Sequence, residues 1–149
     1  SIKRPIRLNN ILFGFNSAEL NPSSKLALDT LVDVLNTNPN ISIELSAHSD
    51  MVGDDEVNLE LSKKRAQSVM DYLISKNIAA DRLQSQGYGK TQPVVVDKQM
   101  AQKYSFMNEG DVLNPEFISA LSQDEQEICN QINRRTEFKV LSTNYKPSK

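Results

Sequence analysis

The stretch ISIELSAHSDMVGDDEVNLELSKKRA, residues 41–66, changes its hydrophobic period once, and that change predicts the centre of the fold. From Ile41 to Ala47 every second residue is apolar, which is typical of a strand with one buried face. An acidic, glycine-containing loop follows from Met51 to Asp55, and a helix is then predicted from about Glu56 to Lys76. Asp50 therefore lies where a strand leads into a helix, a common location for binding residues in open sheets.

Further elements are predicted on both sides of this stretch. Alternating apolar residues indicate a first strand from about Ile6 to Phe15, with Phe13 and Phe15 mostly in the core; the alternative is that a phenylalanine at the strand end forms the floor of a binding pocket. Asn21 is a good N-cap, and the sequence from Pro22 to about Asn36 then has helical spacing. Two later strands are predicted, Arg82 to Tyr88 and Glu137 to Leu141.

The segment between the last two strands has a weaker pattern. Asn114-Pro115 and Ser122 are typical helix starts, so we expect an insertion at about residues 97–129 with one or two short helices. The order of elements implies an α+β fold, with a mixed sheet and helices packed on one face. We expect one domain over residues 1–149, with its core in about 6–96 and 130–142.

Composition excludes several classes of protein. Hydrophobic residues make up 38% and charged residues 24% of the 149, as in soluble globular proteins. A net charge of −2 provides no general attraction to nucleic acid or to anionic membranes. The single cysteine, Cys129, rules out an internal disulfide. No stretch approaches the roughly 20 apolar residues of a membrane helix. Because no signal peptide precedes Ser1, we expect a piece of a longer protein, whose targeting or anchoring part lies elsewhere.

One group of residues near Asp50 carries binding chemistry. Asn58, Leu61 and Arg65 fall at i, i+3 and i+7 and so share one face of the predicted helix. If that face lines the loop, Asp50 and Arg65 flank one cleft. The two charges then form either an ion pair or a receptor for a zwitterion, with an ammonium on Asp50 and a carboxylate on Arg65. Spacing alone favours the ion pair or two solvated charges.

The motifs of this stretch closely resemble the OmpA C-terminal-like (OmpA/MotB) family. The similarity lies in His48-Ser49-Asp50-Met51-Val52-Gly53 and in Asn58-Leu59-Glu60-Leu61-Ser62-Lys63-Lys64-Arg65-Ala66. Further similar motifs follow in order: Phe13-Gly14-Phe15-Asn16-Ser17, Arg82-Leu83, Gly87-Tyr88-Gly89, Pro93 and Asn133-Arg134-Arg135-Thr136-Glu137-Phe138.

The resemblance implies a βαβαβ–β fold that holds peptidoglycan without a covalent bond or a cofactor. It implies that Asp50 and Arg65 contact the diaminopimelate of the wall's stem peptide, and that Asn58 and Leu61 line and order the pocket. It places at least one arginine of Asn133-Arg134-Arg135 near the site. The predicted ligand-binding residues are Asp50, Arg65, Asn58, Leu61, Ser49, Phe15, Asn16 and Arg134.

Four positions depart from the family pattern. Ser49 replaces a threonine and keeps the hydroxyl, and Ala47 stands where glycine is frequent. Asn16 stands where an aspartate is usual, which removes a charge from a secondary contact or alters loop packing. The long segment before Asn133 is the largest departure; it covers part of the pocket, recruits a partner, or does neither.

Other functions are less well supported by the residues. His48, the only histidine, is better explained by packing and hydrogen bonding beneath the loop than as a metal ligand or catalytic base. Cys129 has no second histidine to pair with, which argues against nucleophilic catalysis. The acidic run Asp54-Asp55-Glu56 lacks the apolar surroundings of a glycosidase acid, so a wall hydrolase is disfavoured.

We therefore predict a non-enzymatic periplasmic domain that anchors an outer-membrane protein or lipoprotein to the wall. The domain itself is not expected to lie in the membrane, to bind nucleic acid or to hold a metal. The alternative is a protein-interaction module of the envelope that uses residues 97–129. The sequence leaves open whether a homodimer or another envelope protein is a partner.

Overall fold

The computed structural model describes residues 4–147, so the first three and last two residues of the predicted domain lie outside it. Its helices are α1 (Pro22–Thr37), α2 (Asp55–Ser75), α3 (Lys98–Lys103), α4 (Pro115–Ser119) and α5 (Gln123–Asn133). Its strands are β1 (Ile6–Leu8), β2 (Ser42–His48), β3 (Leu83–Gly89) and β4 (Arg135–Ser142), and a 3₁₀ turn at Ala80–Arg82 precedes β3. No helix in the described part of the chain is long and apolar enough to cross a bilayer.

The strands form one mixed sheet in the order β1-β4-β2-β3. β2 is parallel to β3 and antiparallel to β4, and β1 pairs antiparallel with the other edge of β4. In this register Ala47 lies opposite Thr136, and His48 lies opposite Arg135. The sheet order confirms the predicted α+β class, and it brings the strand before Asp50 beside the strand that follows Asn133.

The main core lies between the sheet and the first two helices. Ile43 and Leu45 of β2 are fully buried against α1 and α2, which contribute Leu28, Leu35 and Leu73. These apolar residues recur at helical spacing in α1 and α2 and at every second position in β2, so the two patterns fix which faces meet. The first two predicted helices and the strands at β2, β3 and β4 are confirmed, with ends shifted by one or two residues.

The predicted first strand is wrong over most of its length. β1 ends at Leu8, and Asn10 has a positive φ of 65°, a conformation that breaks an extended chain. Leu12 is then held by the Ser24 side chain, which accepts from its N–H at 2.7 Å and donates to its carbonyl at 2.9 Å. A second positive φ, 53° at Asn16, turns the chain again and leaves Phe15 95% exposed. Phe15 is therefore not a core residue.

The segment at residues 97–129 contains α3, α4 and most of α5, which is more helix than predicted. The helix starts at Asn114 and Ser122 are confirmed: both side chains cap, and Ser122 forms a capping box with Glu125. α3 was not predicted, because its cap, Asp97, begins only six helical residues with no apolar period. These helices surround a second group of buried residues: Val96, Met107, Leu113, Ile118, Cys129 and Ile132.

Candidate functional site

Asp50 is held in a defined position by the backbone around it. The backbone N–H of Ser49 donates to the carbonyl of Gly89 at 2.9 Å, which ties the start of the loop to the end of β3. One carboxylate oxygen of Asp50, Oδ1, accepts the N–H of Val52 at 2.9 Å. The side chain is 16% exposed. Asp50 thus presents its other oxygen, Oδ2, from a loop that its own hydrogen bond helps to shape.

Arg134 is the side chain that meets this second oxygen. It follows the end of α5, and its Nη1 lies 2.5 Å from Asp50 Oδ2. Its Nη2 lies 3.1 Å from Glu127 Oε2, so one guanidinium joins two carboxylates. Burial lowers the pKa of Arg134, but the hydrogen bonds to Asp50 and Glu127 outweigh it and the net pKa is raised. Arg134 is therefore a permanent cation beside Asp50.

Arg65 lies close by and is oriented by backbone carbonyls. Its Nε donates to Ser17 O at 2.8 Å, and its Nη2 donates to Gly14 O at 3.1 Å. The guanidinium carbon stands 4.9 Å from the ring centroid of Phe13, a cation–π distance. Burial and then the charge of Arg134 lower the pKa of Arg65, and Asp50 acts in the opposite direction. The three charges are thus near enough to influence one another.

A cleft of about 630 Å³ opens beside these charges. Four of its lining residues are arginines: Arg7, Arg65, Arg134 and Arg135. Phe13 lines the same cleft and supplies an apolar wall. Guanidinium groups bind carboxylates through paired hydrogen bonds, so this cleft suits an anionic group. With Asp50 bound to Arg134 at its edge, the arrangement offers an acceptor for an ammonium next to donors for a carboxylate.

Two predicted residues support the Asp50 loop. Asn58 Nδ2 donates to the carbonyl of Val52 at 2.7 Å, which closes the loop onto the start of α2. Ser49 Oγ donates to the carbonyl of Asp50 at 2.9 Å. Lys90, which the sequence did not single out, also donates to Gly53 O. The structure therefore places Ser49 and Asn58 around Asp50 as loop-holding residues.

The other predicted residues lie elsewhere. Leu61 and Asn16 line a separate groove of about 460 Å³, together with Val57 and Glu60 of α2. Phe15 projects into solvent at 95% exposure, and the aromatic ring that contacts Arg65 is that of Phe13. The structure brings Asp50, Arg65 and Arg134 together and does not bring Leu61, Asn16 or Phe15 to the same cleft.

A buried polar network lies behind the site. His48 stacks on Tyr88 with ring centroids 5.2 Å apart, and its Nε2 lies 3.4 Å from Glu137 Oε1. Burial lowers the pKa of His48, against the opposing effect of its contact with Glu137. Burial also opposes the charge on Glu137, but the His48 bond and Arg135 outweigh it and lower its pKa to about 2. His48 is thus a packing and hydrogen-bonding residue, as predicted, and Arg135 belongs to this network.

Glu127 and Lys90 are the contributors that sequence reasoning missed. Glu127 is one of several acidic residues on the polar face of α5, and it lies seven residues before Arg134, so the two share one side of the helix. Lys90 Nζ reaches Asp55 Oδ1 at 2.9 Å across the loop. Its position directly after Gly87-Tyr88-Gly89 was the one available signal.

Curated outer membrane proteins resemble part of this chain in sequence. Outer membrane protein A of Escherichia fergusonii is 44% identical over 88 residues, which are 58% of this chain and 36% of that protein. Outer membrane protein A of Salmonella typhi is 43% identical over 88 residues, 58% of this chain and 25% of that protein. The chain thus spans about a quarter to a third of the length of these relatives.

Solved structures share the fold at lower identity. A MotB-like protein from Desulfovibrio vulgaris aligns with a TM-score of 0.65 and 21% identity, over 97% of this chain and 74% of that one. The peptidoglycan-associated lipoprotein of Burkholderia pseudomallei gives a TM-score of 0.60 and 20% identity, over 93% and 90%. The cell wall anchor of the T6SS from Pseudomonas aeruginosa gives 0.60 and 24%, over 91% and 78%.

A family model decides the classification. The model described as the OmpA family matches residues 12–105, more than half of the chain. That range contains β2, the Asp50 loop and α2, where the predicted motifs lie. The protein belongs to the OmpA family.

Proposed function

We propose that this chain binds peptidoglycan non-covalently through the diaminopimelate of the stem peptide. It thereby anchors an outer-membrane protein or lipoprotein to the cell wall from the periplasmic side. The observation that carries the proposal is that Arg65 and Arg134 line one cleft, that Arg134 also contacts Asp50, and that the charges of Asp50 and Arg134 both act on Arg65. The binding needs no cofactor and no covalent step.

The comparisons support a wall-associated role. Two of the solved structures with this fold are described as a cell wall anchor and as a peptidoglycan-associated lipoprotein. The curated relatives are described as outer membrane proteins. The two structures align with 91% and 93% of this chain, so the same class of ligand is the simplest proposal for it.

The ligand's amino-acid end matches the charges of the site. Its ammonium carries donors for Asp50, whose Oδ1 is bonded to the loop and whose Oδ2 contacts the partly exposed Arg134. Its carboxylate matches Arg65, whose guanidinium has five N–H donors. Two of them bond to Ser17 and Gly14, and within the part of the chain that the structure describes the other three remain for a ligand. Because backbone carbonyls already orient this guanidinium, little side-chain entropy is lost on binding. A sub-millimolar dissociation constant requires only about −4 to −6 kcal/mol.

Substitution of either charge tests this function. We expect Asp50→Asn and Arg65→Lys each to weaken binding of meso-diaminopimelate by about 30-fold or more, because the first leaves the ligand ammonium without a charged partner and the second removes the paired hydrogen bonds to its carboxylate. Arg65→Lys keeps the positive charge but loses the planar fork that pairs with a carboxylate. The measurements are titration calorimetry with meso-diaminopimelate and sedimentation with purified peptidoglycan.

Control variants remove exposed charges elsewhere. Asp33→Asn and Lys25→Gln change exposed residues of α1 and should sediment with the wall like the unmodified protein. Circular dichroism of every variant checks the fold. Sedimentation of both site variants at the unmodified level would refute the proposed function.

A further inference from the structure

We propose that Glu127 is a positioning residue that sets the affinity of the site by dividing Arg134 between two carboxylates. In the unliganded protein Arg134 neutralises Asp50, and Glu127 draws part of the guanidinium away. The inference rests on the proposed function, because it concerns how the same Asp50 becomes available to a ligand ammonium.

The geometry creates a competition for one oxygen. Asp50 Oδ1 is occupied by the Val52 N–H, and Oδ2 by Arg134 Nη1 at 2.5 Å. A ligand ammonium that approaches Asp50 must share or replace that contact. When a binding-competent state is only partly populated, the apparent dissociation constant rises by the inverse of that fraction. The strength of the Arg134–Asp50 pair therefore enters directly into the affinity for the ligand.

Glu127 weakens that pair by holding the other end of the guanidinium. Its Oε2 accepts Arg134 Nη2 at 3.1 Å, so Arg134 cannot place both Nη groups on Asp50 at once. Two parallel N–H bonds to one carboxylate are stronger than a single one. Glu127 prevents this paired arrangement between Arg134 and Asp50. The ligand thus meets Asp50 held by one nitrogen rather than two.

Glu127 is itself fixed in position by hydrogen bonds in and around α5. Gln131, one turn further along α5, donates from Nε2 to the same Glu127 Oε2 at 3.3 Å. The helix that carries both is fixed at its start by the Ser122 capping box. At its end Asn133 is fully buried, accepts the N–H of Val94 at 2.9 Å and donates to Leu113 O at 2.9 Å. The segment at residues 97–129 therefore contributes to the site through Glu127.

Removal of the Glu127 charge should weaken binding. In Glu127→Gln the carboxylate that competes with Asp50 is gone, so Arg134 closes on Asp50. We expect the dissociation constant for meso-diaminopimelate to rise roughly two- to fivefold, the range for a partly exposed ion pair. Titration calorimetry measures it, and Glu109→Gln, which removes an exposed charge from the same segment, is the control and should leave it unchanged.

A double-mutant cycle separates this mechanism from a direct attraction between Glu127 and the ligand. If Glu127 acts through Arg134, then Glu127→Gln changes nothing in an Arg134→Gln background. An equal loss in both backgrounds would overturn the proposal. If Arg134→Gln binds too weakly for the cycle, the unliganded crystal structure of Glu127→Gln decides: both Nη groups on Asp50 support the proposal, and an unchanged single contact overturns it.

The experiments distinguish a wrong role for Glu127 from a wrong proposed function. If Asp50→Asn abolishes binding while Glu127→Gln behaves like Glu109→Gln, only the role of Glu127 is refuted. If Asp50→Asn binds like the unmodified protein, the proposed function itself is refuted.

Discussion

Arg134 and Arg135 are neighbours in the chain, yet their surroundings differ completely. Arg134 is 39% exposed and faces Asp50 and Glu127 at the mouth of the site. Arg135 is 7% exposed, and its Nε bonds to Glu137 at 3.0 Å. They differ because Arg134 ends a helix, whereas Arg135 begins β4 and points across the sheet. Only one of the two can therefore meet a ligand without first breaking a buried ion pair.

Glu137 should make the stability of the fold depend on acid. Its folded pKa of about 2 lies below the ordinary value of 4.5. Between these values the unfolded chain binds a proton that the folded protein excludes, so lowering the pH through this range favours unfolding. We expect the free energy of unfolding to fall by roughly 2 to 3 kcal/mol from this group as the pH drops from about 5 to about 2.

Urea unfolding of Glu137→Gln across that pH range checks the prediction. The variant should be less stable than the unmodified protein at pH 7, because Arg135 and His48 lose a charged partner. The difference should shrink as the pH falls, with Glu109→Gln as the control for loss of one charge. Parallel pH profiles for the variant and the unmodified protein would contradict this role of Glu137.

At the scale of elements, α2 packs directly on β3, and one glycine permits the close approach. A Cβ built on Gly87 would lie 2.2 Å from the Lys63 backbone nitrogen and 2.6 Å from the Ser62 carbonyl carbon. Backbone atoms cannot rotate away as a flexible side chain can. The contact also positions the site, because Ser62 Oγ accepts the N–H of Gly89 at 2.9 Å where β3 meets the Asp50 loop.

Gly87→Ala should therefore destabilise the protein by about 1 to 3 kcal/mol, the usual cost of an overpacked site. Chemical denaturation followed by circular dichroism measures the change. Gly14→Ala is the matched control, because its new Cβ would meet its nearest neighbour at 3.7 Å, an ordinary contact. Equal stability of the two variants would show that α2 and β3 separate at little cost.

At the scale of the whole molecule, two groups of buried residues are linked through the site. Met51, in the Asp50 loop, packs against the second group, most of whose residues lie in the 97–129 segment. Asn133 ties that segment to Val94 and leads directly into β4, which pairs with β2. We propose that both groups belong to one domain, because the same strand and the same loop join them.

A single cooperative unfolding transition is the expected result. Cys129 is fully buried in the second group and provides a chemical probe of it, while circular dichroism reports mainly on α1 and α2. Thiol labelling and loss of helix should have the same denaturant midpoint. Leu113→Ala in the second group and Leu73→Ala in the first should each lower that shared midpoint, because each reduces the free energy of unfolding by about 2 to 5 kcal/mol. Labelling of Cys129 well before helix is lost would indicate two separate units.

The sequence by itself determined the elements whose pattern is local. The alternation at Ile43 and Leu45, the caps at Asn21, Asn114 and Ser122, and the helical spacing in α1 and α2 all depend on neighbours a few residues away. Such patterns predict an element because one face of it must be buried. The same local order placed Asp50 at a strand end and Arg65 on the following helix.

Tertiary structure alone decided what meets Asp50. The first strand stops at Leu8, the chain turns at Asn10, and Ser24, in another element, then binds the backbone of Leu12. Arg134 reaches Asp50 because β4 pairs with β2 and brings the end of α5 to the loop, and Glu127 contacts Arg134 from the same helix. Pairing between strands far apart in the chain leaves no period in the sequence. The motif thus predicted which residues carry the charges, and the pairing of β4 with β2 decided which charges stand together.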